Sequence, residues 1–200
     1  EWANARAVEL IDALSEDNLA KKYQILDDLY NKYVDSKYIG RFVIGKYWGY
    51  MTPTEQTQYM QLFNRYALAL YKSYPLNFKK ENIDFKIYQV NVLSAQRAEA
   101  RVVIHQNNLP EDDALQNIIV QLNIKDTPEG LKLEDIKIAE VSLIISYRNK
   151  FYQMIATSDG EMSWFLEDFA DIVKSMEQQQ QKSKNKQQEN QFNEENKDIE

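Results

Sequence analysis

Hydrophobic and polar positions along this chain change period twice, and the changes divide it into three zones. In the first zone, residues 1–75, apolar positions recur at helical spacing. Trp2, Ala5, Val8, Ile11 and Leu14 stand three residues apart and predict a short amphipathic helix. Ser15-Glu16-Asp17-Asn18 breaks it, and Leu19, Tyr23, Leu26, Leu29, Tyr30 and Tyr33 resume the same period. A third helix is predicted over about Asp35 to Tyr47. Thr52-Pro53-Thr54-Glu55 is the clearest local signal. Thr52 is a good N-cap, Pro53 falls at the first helical position, where no N–H is needed, and Glu55 closes a capping box. The helix that follows carries Tyr59, Leu62, Phe63, Tyr66 and Leu70 on one face, with Met60, Ala67, Tyr71 and Tyr74 beside them. An apolar arc that wide predicts a largely buried helix until about Pro75.

Over residues 83–140 the period falls to two. Ile83, Phe85 and Ile87 alternate with polar residues, and then Val90 and Val92 take the opposite phase, which predicts a bulge or strong bend. Ala98, Ala100, Val102 and Ile104 form a second strand; Ile118, Val120, Leu122 and Ile124 form a third. After the turn Asp126-Thr127-Pro128-Glu129-Gly130, a fourth strand carries Leu131 and Leu133, then Ile136 and Ile138 across another phase flip. From Val141 the helical period returns through Leu143, Ile144, Tyr147, Phe151, Met154 and Ile155. Ser158-Asp159-Gly160 interrupts it, and Met162, Phe165, Leu166, Phe169, Ile172 and Val173 make a last helix. The order predicts an α+β fold: a helical N-terminal half, a four-stranded bent antiparallel sheet and two C-terminal helices. A bent sheet roofed by helices leaves a wedge-shaped apolar cavity between the two layers.

Composition changes the picture at the C-terminal end. From Glu177 to Glu200 Gln and Asn dominate, and Phe192 and Ile199 are the only large apolar residues. Such a stretch buries too little surface to offset its ordering entropy, so 177–200 is predicted to be a disordered or frayed helical tail, leaving 1–176 as a single domain. The tail and 13 tyrosines also reconcile a mean hydropathy of −0.62 with an apolar content of 44%. Tyr47, Trp48, Tyr50, Tyr59, Phe63, Tyr66, Tyr71 and Tyr74 crowd one segment, either as core or as the lining of a cavity with hydroxyls at its mouth. No apolar run approaches the ~20 residues that span a bilayer, and Glu1-Trp2-Ala3-Asn4 does not read as a signal peptide.

Charge and chemistry-bearing residues exclude more than they suggest. The formal charge is −7 and no basic stripe stands out, which argues against nucleic acid. Without cysteine there are no disulfides or thiolate metal sites. The five glycines form neither a nucleophile elbow nor a phosphate or dinucleotide loop. The single histidine, His105, reads as a strand histidine on the phase opposite Val102 and Ile104, and Glu111-Asp112-Asp113 as a solvated turn without calcium-loop spacing. Plentiful carboxylates leave one enzyme reading open: acid/base chemistry on a hydrophobic small molecule in a cone-shaped cavity, with Asp135 and Glu140 as candidates.

Two stretches carry a resemblance. Arg41-Phe42-Val43-Ile44-Gly45-Lys46-Tyr47-Trp48 is followed by Met51-Thr52-Pro53-Thr54-Glu55-Gln56 and the aromatic helix. Near the other end stands Val141-Ser142-Leu143-Ile144-Ile145-Ser146-Tyr147-Arg148-Asn149-Lys150-Phe151. Together, with four strands between them, these resemble the soluble phospholipid-shuttle proteins of the Mla lipid-asymmetry system, the toluene-tolerance family, over about residues 15–175. The chain departs from that pattern where Glu140 replaces the glycine usual before Val-Ser and Leu131 replaces the tryptophan usual after the last hairpin turn.

The resemblance implies a periplasmic carrier rather than an enzyme, using no cofactor, with a bound phospholipid as cargo. Its partners would be an inner-membrane ABC transporter complex and an outer-membrane lipoprotein complex, and the carrier would act as a monomer. Carried over by position, the lipid-lining residues would be Val43, Tyr47, Phe63, Tyr66, Leu70 and Tyr71 on the helices, Val102, Ile104, Val120 and Leu122 on the sheet, and Val141, Ile144, Tyr147 and Phe151 on the far wall. Arg41 and Arg148 are motif positions, placed either to touch a phosphate or to make a structural ion pair.

Overall fold

The computed structural model describes residues 1–73 and 79–197. Among the described residues six α-helices and one five-stranded sheet follow the predicted order. Helices α1 (Trp2–Leu14), α2 (Leu19–Tyr33) and α3 (Ser36–Ile44) lead through a 3-10 turn (Gly45–Tyr50) into α4 (Pro53–Lys72). Strands β1 (Ile83–Ser94), β2 (Arg97–Gln106), β3 (Asn117–Thr127), β4 (Gly130–Ile138) and β5 (Val141–Ser142) come next, then α5 (Leu143–Thr157) and α6 (Met162–Lys197). The Thr52 hydroxyl accepts from the Glu55 N–H at 3.3 Å and the Glu55 carboxylate from the Thr52 N–H at 2.8 Å, so the capping box is closed in both directions. The predicted helix end near Pro75, and Tyr74, lie outside the described residues.

The sheet is an antiparallel meander in the order β1-β2-β3-β4-β5. Both predicted phase flips are bulges. Tyr88 is the extra residue between the pairs Ile87–Val102 and Gln89–Arg101, and Glu134 is the extra residue opposite Asn123 and Ile124. The predicted four strands become five because Val141 and Ser142 turn back onto Ile138 and Lys137 before α5 starts. A two-residue pairing carries no alternation for periodicity to detect. The turn before it, Ala139-Glu140, has φ of 49° and 65°, the left-handed pair that a two-residue hairpin requires.

The helical bundle makes its own core. Tyr59, Phe63 and Tyr66 of α4, Phe151 of α5 and Phe165 and Phe169 of α6 pack edge-to-face or tilted, except that Phe165 and Phe169 stack, with ring centroids 5.0 Å apart for Phe151–Phe169 and 6.3 Å apart for Tyr59–Phe151. The Tyr59 hydroxyl, in the middle of this cluster, donates to the Gly40 carbonyl at 2.9 Å, and burial holds its pKa well above the ordinary range. Gly45 ends α3 with φ 54°, and a Cβ there would overlap the Tyr152 hydroxyl, which accepts from the Lys46 N–H at 3.2 Å.

The segment from Glu177, predicted as a disordered or frayed tail, continues α6 through Lys197. Polar contacts hold it rather than apolar burial, as its composition requires. Arg65 pairs with Glu177 at 2.7 Å, and Gln180 donates to the Ala69 carbonyl at 2.6 Å. The Gln187 amide spans the start of α2, accepting from the Leu19 N–H at 2.8 Å and donating to the Asp17 carbonyl at 2.9 Å.

Two outcomes follow for stability. Gly45→Ala costs about 2 kcal/mol or more, from left-handed strain plus the Tyr152 overlap; adding Tyr152→Phe, which removes the hydroxyl, recovers part of that loss in urea unfolding. The Arg65 hydrogen bond holds the Glu177 carboxyl below its ordinary value of 4.5. Because the folded value is the depressed one, the pair's contribution is complete above that ordinary value and is lost as pH falls through the folded one. Both side chains are well exposed, so the effect stays below about 1 kcal/mol. Glu177→Gln should be slightly less stable than wild type at pH 7, and the difference should narrow as pH falls below the ordinary carboxyl value.

Candidate functional site

Directly opposed residues in an antiparallel ladder share a face. The register therefore assembles one apolar face in four cross-strand rows: Phe85–Ile104–Ile118, Ile87–Val102–Val120–Ile138, Val90–Ala100–Leu122–Ile136 and Val92–Ala98–Ile124–Leu133. Without the two bulges, Val90 and Val92 would point away from Ile87, and Leu133 away from Ile136. The opposite face is mostly polar, with rows Gln89–Arg101–Gln121–Lys137 and Asn91–Glu99–Asn123–Asp135 and one apolar pair, Val103–Ile119. His105 stands on that polar face, its Nδ1 2.8 Å from the Asn117 side-chain oxygen.

The apolar face is covered unevenly. Helix α1 lays Trp2 and Ala3 on it, against Ala100, Ile124, Ile87, Leu122 and Leu133. Ala100 and Val102 are 2% and 4% exposed, whereas Val90 and Val92, on the same face at the free edge of β1, are 62% and 79% exposed. One continuous apolar surface thus runs from the interior to the rim, as a long apolar ligand requires.

The fourteen candidate lining residues fall into separate places. Val102, Ile104, Val120 and Leu122 all lie on the apolar face. Val43, Phe63, Tyr66 and Phe151 are buried in the aromatic core of the bundle, with Tyr47, Leu70 and Tyr147 packed against it. This core is a different cluster from the one on the sheet, so a tryptophan at Val43, fully buried, would test packing rather than a cavity. Val141 is 57% exposed in β5, and Ile144 is buried at the start of α5. The Tyr71 hydroxyl donates to Asp27, which also pairs with Lys72 at 2.5 Å, tying α2 to α4. Burial first, and the Asp27 carboxylate second, push the Tyr71 pKa far up. Trp2, Ala3, Ile87, Ile124 and Leu133 were missed. The strand phase already contained Ile87, Ile124 and Leu133; Trp2 and Ala3 required knowing which helix covers the sheet.

The remaining chemistry-bearing residues have structural work. Asp135 is buried, accepts from the Ser142 hydroxyl at 2.7 Å and from the Ile144 N–H at 3.3 Å, and so caps α5. Glu140 is exposed in the left-handed turn. The Arg148 guanidinium donates to the Phe42 carbonyl at 2.8 Å and lies 3.7 Å over the Phe42 ring, while Arg41 lies 4.1 Å over Trp48. Neither motif arginine is held in an ion pair by these contacts. Asp113 turns the β2–β3 connection by accepting from the Leu115 N–H at 2.8 Å. Among the described residues no group of three or more His, Cys, Asp or Glu is placed to hold a metal ion, and no helix is long and apolar enough to cross a membrane.

These features define a class of protein: an α+β domain whose antiparallel sheet turns an apolar, partly open face toward a helical cover. Within it, the chain belongs to the MlaC protein family, whose model matches residues 5–164. Among solved structures, that of the phospholipid-binding protein from Ralstonia solanacearum in complex with a phospholipid superposes with a TM-score of 0.70. The two chains are 18% identical, and the match covers 87% of this chain and 96% of that one, a likeness of fold. Comparison with curated proteins gives no match.

The left-handed turn at position 140 is one that glycine adopts without steric cost. Glu140→Gly removes the steric strain at φ 65°, offset in part by glycine's backbone entropy, and should raise stability by up to about 1 kcal/mol in urea unfolding.

Proposed function

We propose that this protein is a phospholipid carrier of the periplasm, which shelters acyl chains against the apolar face of its sheet and moves them between an inner-membrane transporter complex and an outer-membrane lipoprotein complex. The observation that carries this reading is the continuity of the apolar face from buried Ala100 and Val102 to exposed Val90 and Val92. Membership of the MlaC family supports it, as does the likeness in fold to a protein solved with a phospholipid bound.

The energetics suit carriage. Each CH₂ of an acyl chain in water costs ~0.8 kcal/mol, so a long tail released into solvent is prohibitively unfavourable. The carrier does not have to bind more tightly than a bilayer, which already shelters the tail. A dry apolar surface close in free energy to the membrane allows loading and release alike. Aliphatic strand residues provide that surface, and no catalytic group is called on.

Organic extraction of the purified protein, before and after incubation with phospholipid vesicles, should yield stoichiometric phospholipid by mass spectrometry. Protein that carries none after incubation would sink the reading. Leu122→Trp, which fills the half-buried middle of the face, should lower phospholipid occupancy about tenfold while circular dichroism stays unchanged. Full occupancy in that variant would place the cargo elsewhere.

A further inference from the structure

Where the apolar face meets α1, the cover carries a cation. Trp2 and Arg6 are one turn apart on α1, and the Trp2 ring meets the Tyr33 ring edge-on at 5.9 Å. The Arg6 guanidinium lies over the Tyr33 ring at 4.2 Å and 5.9 Å from the Trp2 ring. Lys32 brings its ammonium to 5.0 Å from the same Tyr33 ring. Lys132, whose ammonium donates to the Lys32 carbonyl at 2.8 Å, adds a third positive charge beside it. Two carboxylates answer these charges. Glu9 takes one Arg6 nitrogen at 2.6 Å, and Glu129, 82% exposed, pairs with Lys132 at 3.3 Å.

Two cations on one aromatic ring, with a third on the backbone next to them, are notable in a chain of net charge −7. The Arg6 side chain is 25% exposed, and its Nε is buried without a hydrogen-bond acceptor. A buried donor without an acceptor is a cost that native folds seldom carry. Arg101 also has a buried, unaccepted Nε, but it stands in the polar row of the sheet, on the face away from the apolar one. Arg6 is instead one turn from Trp2, which rests on that apolar face.

We propose that Arg6, with Lys32 beside it on the Tyr33 ring, is the anchor for a phosphate group at the end of the apolar face. Resting on the carrier reading above, the phosphate is that of a lipid whose acyl chain lies along the open part of the apolar face, beside Trp2. A guanidinium held over a ring keeps its planar donor fork in one place for phosphate oxygens, and the lysine adds an unoriented charge. Glu9, on the solvent side and 40% exposed, holds the arginine until an anion competes with it.

The test uses the full chain and vesicles of phosphatidylglycerol doped with diacylglycerol of the same acyl chains, with the bound species read by native mass spectrometry. Arg6→Gln combined with Lys32→Gln should lower bound phosphatidylglycerol about tenfold relative to bound diacylglycerol. Glu9→Gln, which removes the competing carboxylate, should raise that ratio, a gain that misfolding cannot imitate. An unchanged ratio in both variants overturns the anchor even if lipid is carried. Titration of lipid-free protein with inorganic phosphate separates the two sources. Binding that needs Arg6, alongside an unchanged lipid ratio, assigns the site to free phosphate and overturns its lipid role. If wild type takes up neither lipid, the carrier reading fails, and the phosphate titration alone still decides whether Arg6 and Lys32 bind the anion.

Discussion

Six aromatic rings from α4, α5 and α6 pack into one buried cluster, and the rest of the molecule depends on that packing. Tyr59, Phe63, Tyr66, Phe151, Phe165 and Phe169 pack ring against ring, and the buried Tyr59 hydroxyl at their centre finds the Gly40 carbonyl. A bundle stabilised in this way does not need the sheet to complete its core. The sheet's apolar face is therefore left to a lighter cover, α1, and retains apolar surface that reaches the rim.

Directional polar contacts tie the sheet to the helices, and the helices to one another, without one core shared between them. Asp135 of β4 caps α5 through Ser142 and Ile144, Asp27 of α2 meets Tyr71 and Lys72 of α4, and Gln187 of α6 grips the first turn of α2. Asp135, the buried one of these groups, would be costly if left unpaired, so it fixes the placement of α5 on β4. The motif around Arg41 to Trp48 belongs to the same scheme: Gly45 lets Tyr152 approach, and Arg148 closes on the Phe42 carbonyl. Residues that look like candidate chemistry in the sequence are used in construction.

Much of the fold was legible in the sequence because it depends on local patterns. The Thr52–Glu55 capping box, the helical stripes and the strand alternation are short-range consequences of backbone geometry, and all reappear. Both phase flips announced bulges, since a strand that keeps one face apolar after an inserted residue must change phase. The shared face of Val102, Ile104, Val120 and Leu122 followed from the same alternation. Missing from that reading were β5, too short to show a period, and the polar anchors of the segment after Glu177 at Arg65, Ala69 and the start of α2, which are remote in sequence.

The sequence by itself determined which side of each element is apolar, because helix and strand periods are properties of the backbone alone. It could not determine which apolar side meets which. Phe63, Tyr66 and Phe151 look as suited to lining a cavity as to filling a core, and only the tertiary structure sends them to the bundle interior. Trp2 and Ala3, ordinary residues on a short N-terminal helix, become the cover of the sheet for the same reason. The choice between core and cover is made by contacts between segments far apart in the chain, and side-chain chemistry alone carries no record of the partner it will meet.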